Sequence, residues 1–151
     1  MPLRGQIKDI QGNVLKSATK KILVLIAVLV LIGAIMFRGH QKYNDFLAEF
    51  DYSKVKNTGK PVLLQLGFRS CPPCKMMKPI LKDLKKSHSS EFDVAYIDIN
   101  YQTEAVTKYG TRTFPTLIFL DEENNELYRY VGYMPKEDIL RRWKELGVIG
   151  N

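Results

Sequence analysis

Phe68-Arg69-Ser70-Cys71-Pro72-Pro73-Cys74-Lys75-Met76-Met77-Lys78-Pro79 is the stretch on which the fold turns. Upstream, Pro61-Val62-Leu63-Leu64-Gln65-Leu66-Gly67-Phe68 is a short apolar run bounded by Pro and Gly, the pattern of a buried strand. Downstream, Met77, Ile80, Leu81 and Leu84 recur at helical spacing and form the stripe of an amphipathic helix. The two cysteines therefore sit at a strand-to-helix turn. A helix N-terminus offers unpaired N–H groups and about half a positive charge, which stabilise a thiolate. Lowering a thiol pKa from ~8.5 to ~7 raises the ionised fraction at pH 7 from ~3% to ~50%. Pro72 and Pro73 suit the first helical turn, where a missing N–H matters least, and they stiffen the loop. On this pattern Cys71 precedes the turn and is expected to be exposed, with Cys74 shielded one turn in.

The same two periodicities continue to the C-terminus. Asp93 to Ile99 reads as a strand, Thr103 to Tyr109 as a short helix stopped by Gly110, and Thr116 to Leu120 as a strand. Asp121-Glu122-Glu123-Asn124-Asn125 is a turn, and Glu126 to Val131 pairs back as an antiparallel strand. Lys136 to Leu146 closes as a helix with Ile139, Leu140, Trp143 and Leu146 on one face. The order is β-α-β-α-β-β-α, an α/β domain without internal repeats.

Cysteine arithmetic limits the chemistry. Cys71 and Cys74 are the only cysteines in 151 residues, and His40 and His88 the only histidines. A disulfide scaffold and a four-cysteine zinc site are excluded. Half of a zinc site lacks convincing further ligands. A purely structural disulfide closing so short a loop would restrict the unfolded chain only modestly. A dithiol that cycles between oxidised and reduced forms is the remaining reading, with no metal and no cofactor expected.

Charge and hydropathy set the N-terminal third apart. Ile22 to Phe37 is sixteen residues without a charge, ILVLIAVLVLIGAIMF. As a helix it spans about 24 Å, against a hydrocarbon core of about 30 Å. Ala18 and Thr19, with Lys20, Lys21 and Arg38 snorkelling, close most of the gap. A buried core helix would have to be apolar on every face, which a small domain rarely accommodates. Residues 1–21 hold Arg4, Lys8, Lys16, Lys20 and Lys21 against Asp9 alone, more than half of the net charge of +7. Such an asymmetry marks membrane orientation rather than a nucleic-acid-binding face. The long basic arm and the Ile35-Met36-Phe37-Arg38 ending favour an uncleaved signal anchor over a cleaved signal peptide. The expected organisation is a cytoplasmic basic segment at 1–21, a transmembrane anchor at 22–37, a juxtamembrane linker or helix at 38–57, and a globular domain at 58–150. The positive-inside rule places that domain outside the cytoplasm, on a single-pass protein of the cytoplasmic (inner) membrane with a periplasmic or otherwise extracytoplasmic C-terminal domain. Tyr43, Phe46, Leu47 and Phe50 recur at helical spacing, so part of 38–57 is expected to be a docked helix.

The segment Phe68–Pro79, with Lys108-Tyr109-Gly110, Thr113-Phe114-Pro115-Thr116 and Gly132, resembles the thioredoxin family over about residues 58–150. The resemblance implies a central mixed β-sheet flanked by helices. It implies Cys71 as the attacking thiol, Cys74 as the resolving thiol, and a cis Phe114–Pro115 bond facing them. It makes Thr113, Phe114, Pro115 and Gly132 groove and supporting residues, and Pro79 the proline that kinks the active-site helix. The 41 residues from Cys74 to Pro115 leave no room for the helical insertion of DsbA-type oxidases or for the insertion of cytochrome-c-maturation thioredoxins. Three positions depart from the family pattern. Gln65 replaces a buried Asp that assists the resolving thiol, Tyr96 replaces its Lys partner, and Ser70 replaces a Trp. The resemblance implies reduction of protein disulfides, with electrons from a membrane donor of the DsbD or CcdA type. A disulfide-forming or isomerising enzyme and a non-catalytic assembly or chaperone module are the alternatives. Direction depends on potential, ~−270 mV for thioredoxin against ~−120 mV for DsbA.

Overall fold

The computed structural model describes the backbone of residues 3–150 and the side chains of residues 19–150. The basic side chains of Arg4, Lys8 and Lys16 lie outside the described residues. Four strands form one sheet: β1 (Val62–Gly67), β2 (Asp93–Asp98), β3 (Thr116–Leu120) and β4 (Glu126–Val131). Their order is β2-β1-β3-β4. β1 pairs parallel with β2 and antiparallel with β3, and β3 pairs antiparallel with β4. A parallel pair needs a crossover, and α2 (Pro72–Ser87) supplies it between β1 and β2. The β3–β4 connection is a tight turn in which the Asp121 carboxylate accepts the N–H groups of Glu123 and Asn125.

Each face of the sheet has its own core. Leu63, Val94, Tyr96, Leu117 and Phe119 pack on one face beneath Met77, Leu81 and Leu84 of α2 and Ile139 and Trp143 of α4 (Lys136–Glu145). Val62, Leu64, Leu66, Ala95, Ile97 and Ile118 pack on the other face against Ala105 and Tyr109 of α3 (Glu104–Tyr109). β1 is therefore buried along its whole length, which is why its sequence is continuously apolar instead of alternating. The architecture is the thioredoxin-like one that the sequence implied.

The N-terminal helix α1 (Leu3–Glu49) is longer than the apolar run inside it. Its stretch Thr19–Glu49 is long and apolar enough to cross a membrane, a property it shares with signal sequences. Its apolar side chains are exposed, Leu23 at 65% and Met36 at 70%, unlike those of a core helix. The chain divides into two compact units, one up to Tyr43 and one from Asn44 onward. The second takes in the end of the 38–57 segment, where the spacing of Tyr43, Phe46, Leu47 and Phe50 predicted a docked helix. Phe46 and Phe50 are buried in the α2-side core, their rings stacked at 4.6 Å. The next residues continue the sheet edge, where Phe50 O accepts Tyr96 N–H at 2.7 Å and Asp51 bridges to Tyr96. Aromatic burial and main-chain pairing both hold this segment to the domain.

Candidate active site

Cys71 is the N-cap of α2, in extended conformation, and Pro72 and Pro73 occupy the first two helical positions. Its sulfur accepts the Cys74 N–H at 3.2 Å and is bonded to Cys74 Sγ. The helix N-terminus thus aims a backbone donor at the Cys71 sulfur. One sequence expectation needs correcting: Cys71 is not exposed but 3% accessible, and Cys74 is fully buried. The cause is the cap geometry. A sulfur that caps its own helix and bonds one turn ahead folds over that turn instead of pointing outward. Ser70, Pro72 and Met76 around it are exposed.

Pro115 lies in the loop that leads into β3, the strand beside β1. The Phe114–Pro115 bond is cis, as the family pattern implied. The Phe114 ring meets Phe68 edge-on at 5.8 Å, which docks the proline loop against the residues just before Cys71. Thr113 O accepts the Thr116 hydroxyl at 2.5 Å, and the Thr111 and Thr116 hydroxyls pair at 2.8 Å. Gly132 N–H donates to Pro115 O at 2.8 Å, tying the loop to the end of β4. Gly132 holds φ +113, a backbone state that side-chain-bearing residues rarely adopt. Hydrogen bonds at Thr113 and Pro115 and the ring contact of Phe114 therefore hold this loop from both ends. Pro79 lies exposed inside α2, where it cannot donate to the carbonyl one turn back.

Gln65 is fully buried in β1, and both polar atoms of its amide lack a hydrogen-bond partner among the described residues. It lies in register with Tyr96 of β2. The layer that the family pattern fills with a charged pair holds an amide and a phenol here. Lys78 stands one turn beyond Cys74. Burial, followed by the Arg69 guanidinium, lowers its ammonium to about 8.

Sequence reasoning missed Gly67. A Cβ built there would stand 2.9 Å from Cys74 Sγ and 3.1 Å from the Tyr96 hydroxyl. Its signal was present, since an isolated glycine in a strand marks close approach. Asp98, opposite Gly67 in register and 2% accessible, was also missed, being one acidic residue among many in sequence.

Comparison with known proteins agrees with this geometry. Residues 49–146 match the model of the thioredoxin-like domain family. Thioredoxin of Alicyclobacillus acidocaldarius subsp. acidocaldarius is 29% identical over 93 residues, 62% of this chain and 88% of its own length. Thioredoxin of Staphylococcus aureus (strain Mu50) is 30% identical over 92 residues, 61% of this chain and 85% of its own. Among solved structures, thioredoxin NaTrxh from Nicotiana alata superposes with a TM-score of 0.53 at 22% identity, covering 68% of this chain and 84% of that one. The match spans the sheet, the cysteine turn and the cis-proline loop together, and on that basis the chain belongs to the thioredoxin-like domain family, as a thiol–disulfide oxidoreductase.

Proposed function

We propose that this protein is a membrane-anchored reductase of protein disulfides acting outside the cytoplasm. The observation that carries the chemistry is the Cys71–Cys74 pair bonded across the first turn of α2. In the reduced protein the Cys71 thiolate attacks a substrate disulfide, and one substrate sulfur leaves as a thiolate. The Cys74 thiolate then attacks Cys71 Sγ, the second substrate sulfur leaves, and the protein is left in the bonded state seen here. Two electrons have passed to the substrate. A membrane dithiol donor of the DsbD or CcdA type returns them. We assign the groove wall to Thr113, Phe114 and Pro115, on the cis-proline loop that Phe114 docks against Phe68. The exposed Met76 adds apolar contact for an unfolded or extended substrate.

Support for the anchor is the exposed apolar stretch of α1 with lysines before it. We place the domain boundaries by the same reading, with 22–37 in the bilayer. Insulin reduction tests the chemistry: the wild type turns over, Cys71→Ser does not, and Cys74→Ser accumulates mixed disulfides. A potential near ~−270 mV against glutathione supports reduction, whereas one near ~−120 mV assigns the oxidising direction. Alkaline phosphatase fused after Asn151 is expected to be active, and an inactive fusion overturns the orientation.

A further inference from the structure

We propose that the Tyr96 hydroxyl donates a hydrogen bond to the Cys74 thiolate of the reduced protein and so sets the pH at which the mixed disulfide resolves. This rests on Cys74 being the resolving thiol. The geometry centres on Gly67. A single point above its Cα lies 2.9 Å from Cys74 Sγ and 3.1 Å from the Tyr96 oxygen. Sulfur and hydroxyl thus border the same small space over Gly67, the one β1 residue with no side chain to fill it. Tyr96 is 2% accessible and Cys74 fully buried, so bulk water does not compete at this spot.

The ring is held in place from several sides. Its backbone N–H is fixed to Phe50 O, and its ring meets Phe46 edge-on at 5.2 Å. Breaking the Cys71–Cys74 bond turns a neutral buried sulfur into one that must ionise to attack. A buried anion is costly unless hydrogen-bonded, and hydrogen bonding to the charged form favours ionisation. A phenol suits this task because it keeps its proton at neutral pH and donates it without adding a second negative charge. Gln65, in register beside it, cannot accept a proton. Balance is kept: Cys74 gives its proton to solvent or to the departing substrate thiolate, the Cys71–substrate bond breaks as the Cys71–Cys74 bond forms, and Tyr96 retains its own proton.

Charged groups also face this layer. Lys78 of α2 lies 4.5 Å over the Phe46 ring, with Lys82 at 6.0 Å from the same ring. Lys78 also senses Arg69, Lys75 and Asp98, and Asp98 lies beside Gly67 in register. Asp98 is the competing candidate for managing the Cys74 proton, and the experiment separates the two.

Full-length protein is reduced, loaded at Cys71 with a chromogenic aromatic disulfide, and the release of the second thiol is followed across pH by rapid mixing. If Cys74→Ser releases thiol as fast as the wild type, Cys74 does not resolve and the underlying assignment fails. Given Cys74-dependent release, Tyr96→Phe is expected to move the pH midpoint upward by about one unit and slow release at pH 7 about tenfold. Asp98→Asn, which removes a neighbouring negative charge, is expected not to raise the midpoint. An unmoved midpoint in Tyr96→Phe, or a shift found only in Asp98→Asn, overturns the proposal. If Tyr96→Phe does not fold, fluorotyrosine placed at 96 keeps the size and strengthens the donor. It must lower the midpoint, and an unmoved or raised one overturns the proposal.

Discussion

Very little space lies behind Cys74. Gly67 sits in an ordinary strand, where alanine would normally be tolerated or slightly favourable. Here the added methyl meets Cys74 Sγ at 2.9 Å and Cys74 Cβ at 3.3 Å. Gly67→Ala is therefore expected to cost about 1–3 kcal/mol through overpacking, read by urea titration of the oxidised protein. The adjacent layer makes the opposite prediction. The Gln65 amide is buried with neither polar atom partnered among the described residues. Replacing it by an apolar residue of similar length removes a desolvated group, so Gln65→Leu is expected to stabilise by about 1–3 kcal/mol. A lower urea midpoint for Gln65→Leu would show that the amide is satisfied in solution. That Gln65 departs from the family pattern was legible from the resemblance carried by the cysteine segment. That it is unpartnered was not, because partnership depends on what two other strands and a helix place around it.

At the scale of the element, α2 combines a cysteine cap, two leading prolines and a row of lysines on its outer side. Lys78 of this row is half-buried against Phe46, and its ammonium is lowered from 10.5 to about 8, chiefly by burial. The sign follows from proton counting. Between the folded value and the unfolded one, the unfolded chain holds a proton that the folded chain has lost, so stability rises with pH across that window. Below about 8 both states are protonated, and the folded state bears the full cost of a desolvated charge. Lys78→Met, which keeps the chain length without the charge, is expected to be more stable than the wild type at pH 7. Its advantage is expected to shrink between pH 8 and 10.5. Thermal melts at several pH values check both statements, and an advantage that does not depend on pH removes the electrostatic explanation. The helix itself was readable from Met77, Ile80, Leu81 and Leu84. The burial of Lys78 was not, because the residue covering it, Phe46, is distant in sequence.

For the whole molecule, the segment between the apolar run and β1 matters most. Phe46 and Phe50 complete the core over α2, and residues 50 and 51 pair with the outer edge of β2. A chain starting at Asn44 keeps these contacts and is expected to unfold cooperatively. A chain starting at residue 58 loses two buried phenylalanines, each contributing about 1.5–3 kcal/mol by area, and leaves the β2 edge open. It is expected to lose a large part of its stability and to aggregate more readily. Comparison of the two truncations by urea titration decides whether the domain begins before or after Phe46, with equal midpoints showing that the aromatic pair is dispensable. Acid lability is also distributed. Asp51 and Glu126 are held below the usual carboxylate range, by the Ser53 N–H and by Arg129 respectively. Their contributions are present above that range and fade as pH falls through the lowered values, so acid unfolding is expected to start below about pH 4.

The order of strands and helices, the redox pair at a helix N-terminus and the separate apolar segment were all determined by sequence. Each is local: a period of two or 3.6, a proline where an N–H is spare, a run without charge. The turn residues Gly110 and Asn124 mark their breaks for the same reason. Other features arise only when distant segments meet. Cys71 is buried because capping and bonding fold its sulfur over α2, and Gly67 matters because Tyr96 and Cys74 converge above it. The Phe114–Pro115 loop is held by Phe68, which meets the Phe114 ring, and by Gly132, which donates to Pro115 O, residues 46 and 17 positions away in the chain. Burial and close approach are properties of three-dimensional neighbourhoods, and a one-dimensional pattern carries them only where a residue type, as glycine does here, has little other reason to be present.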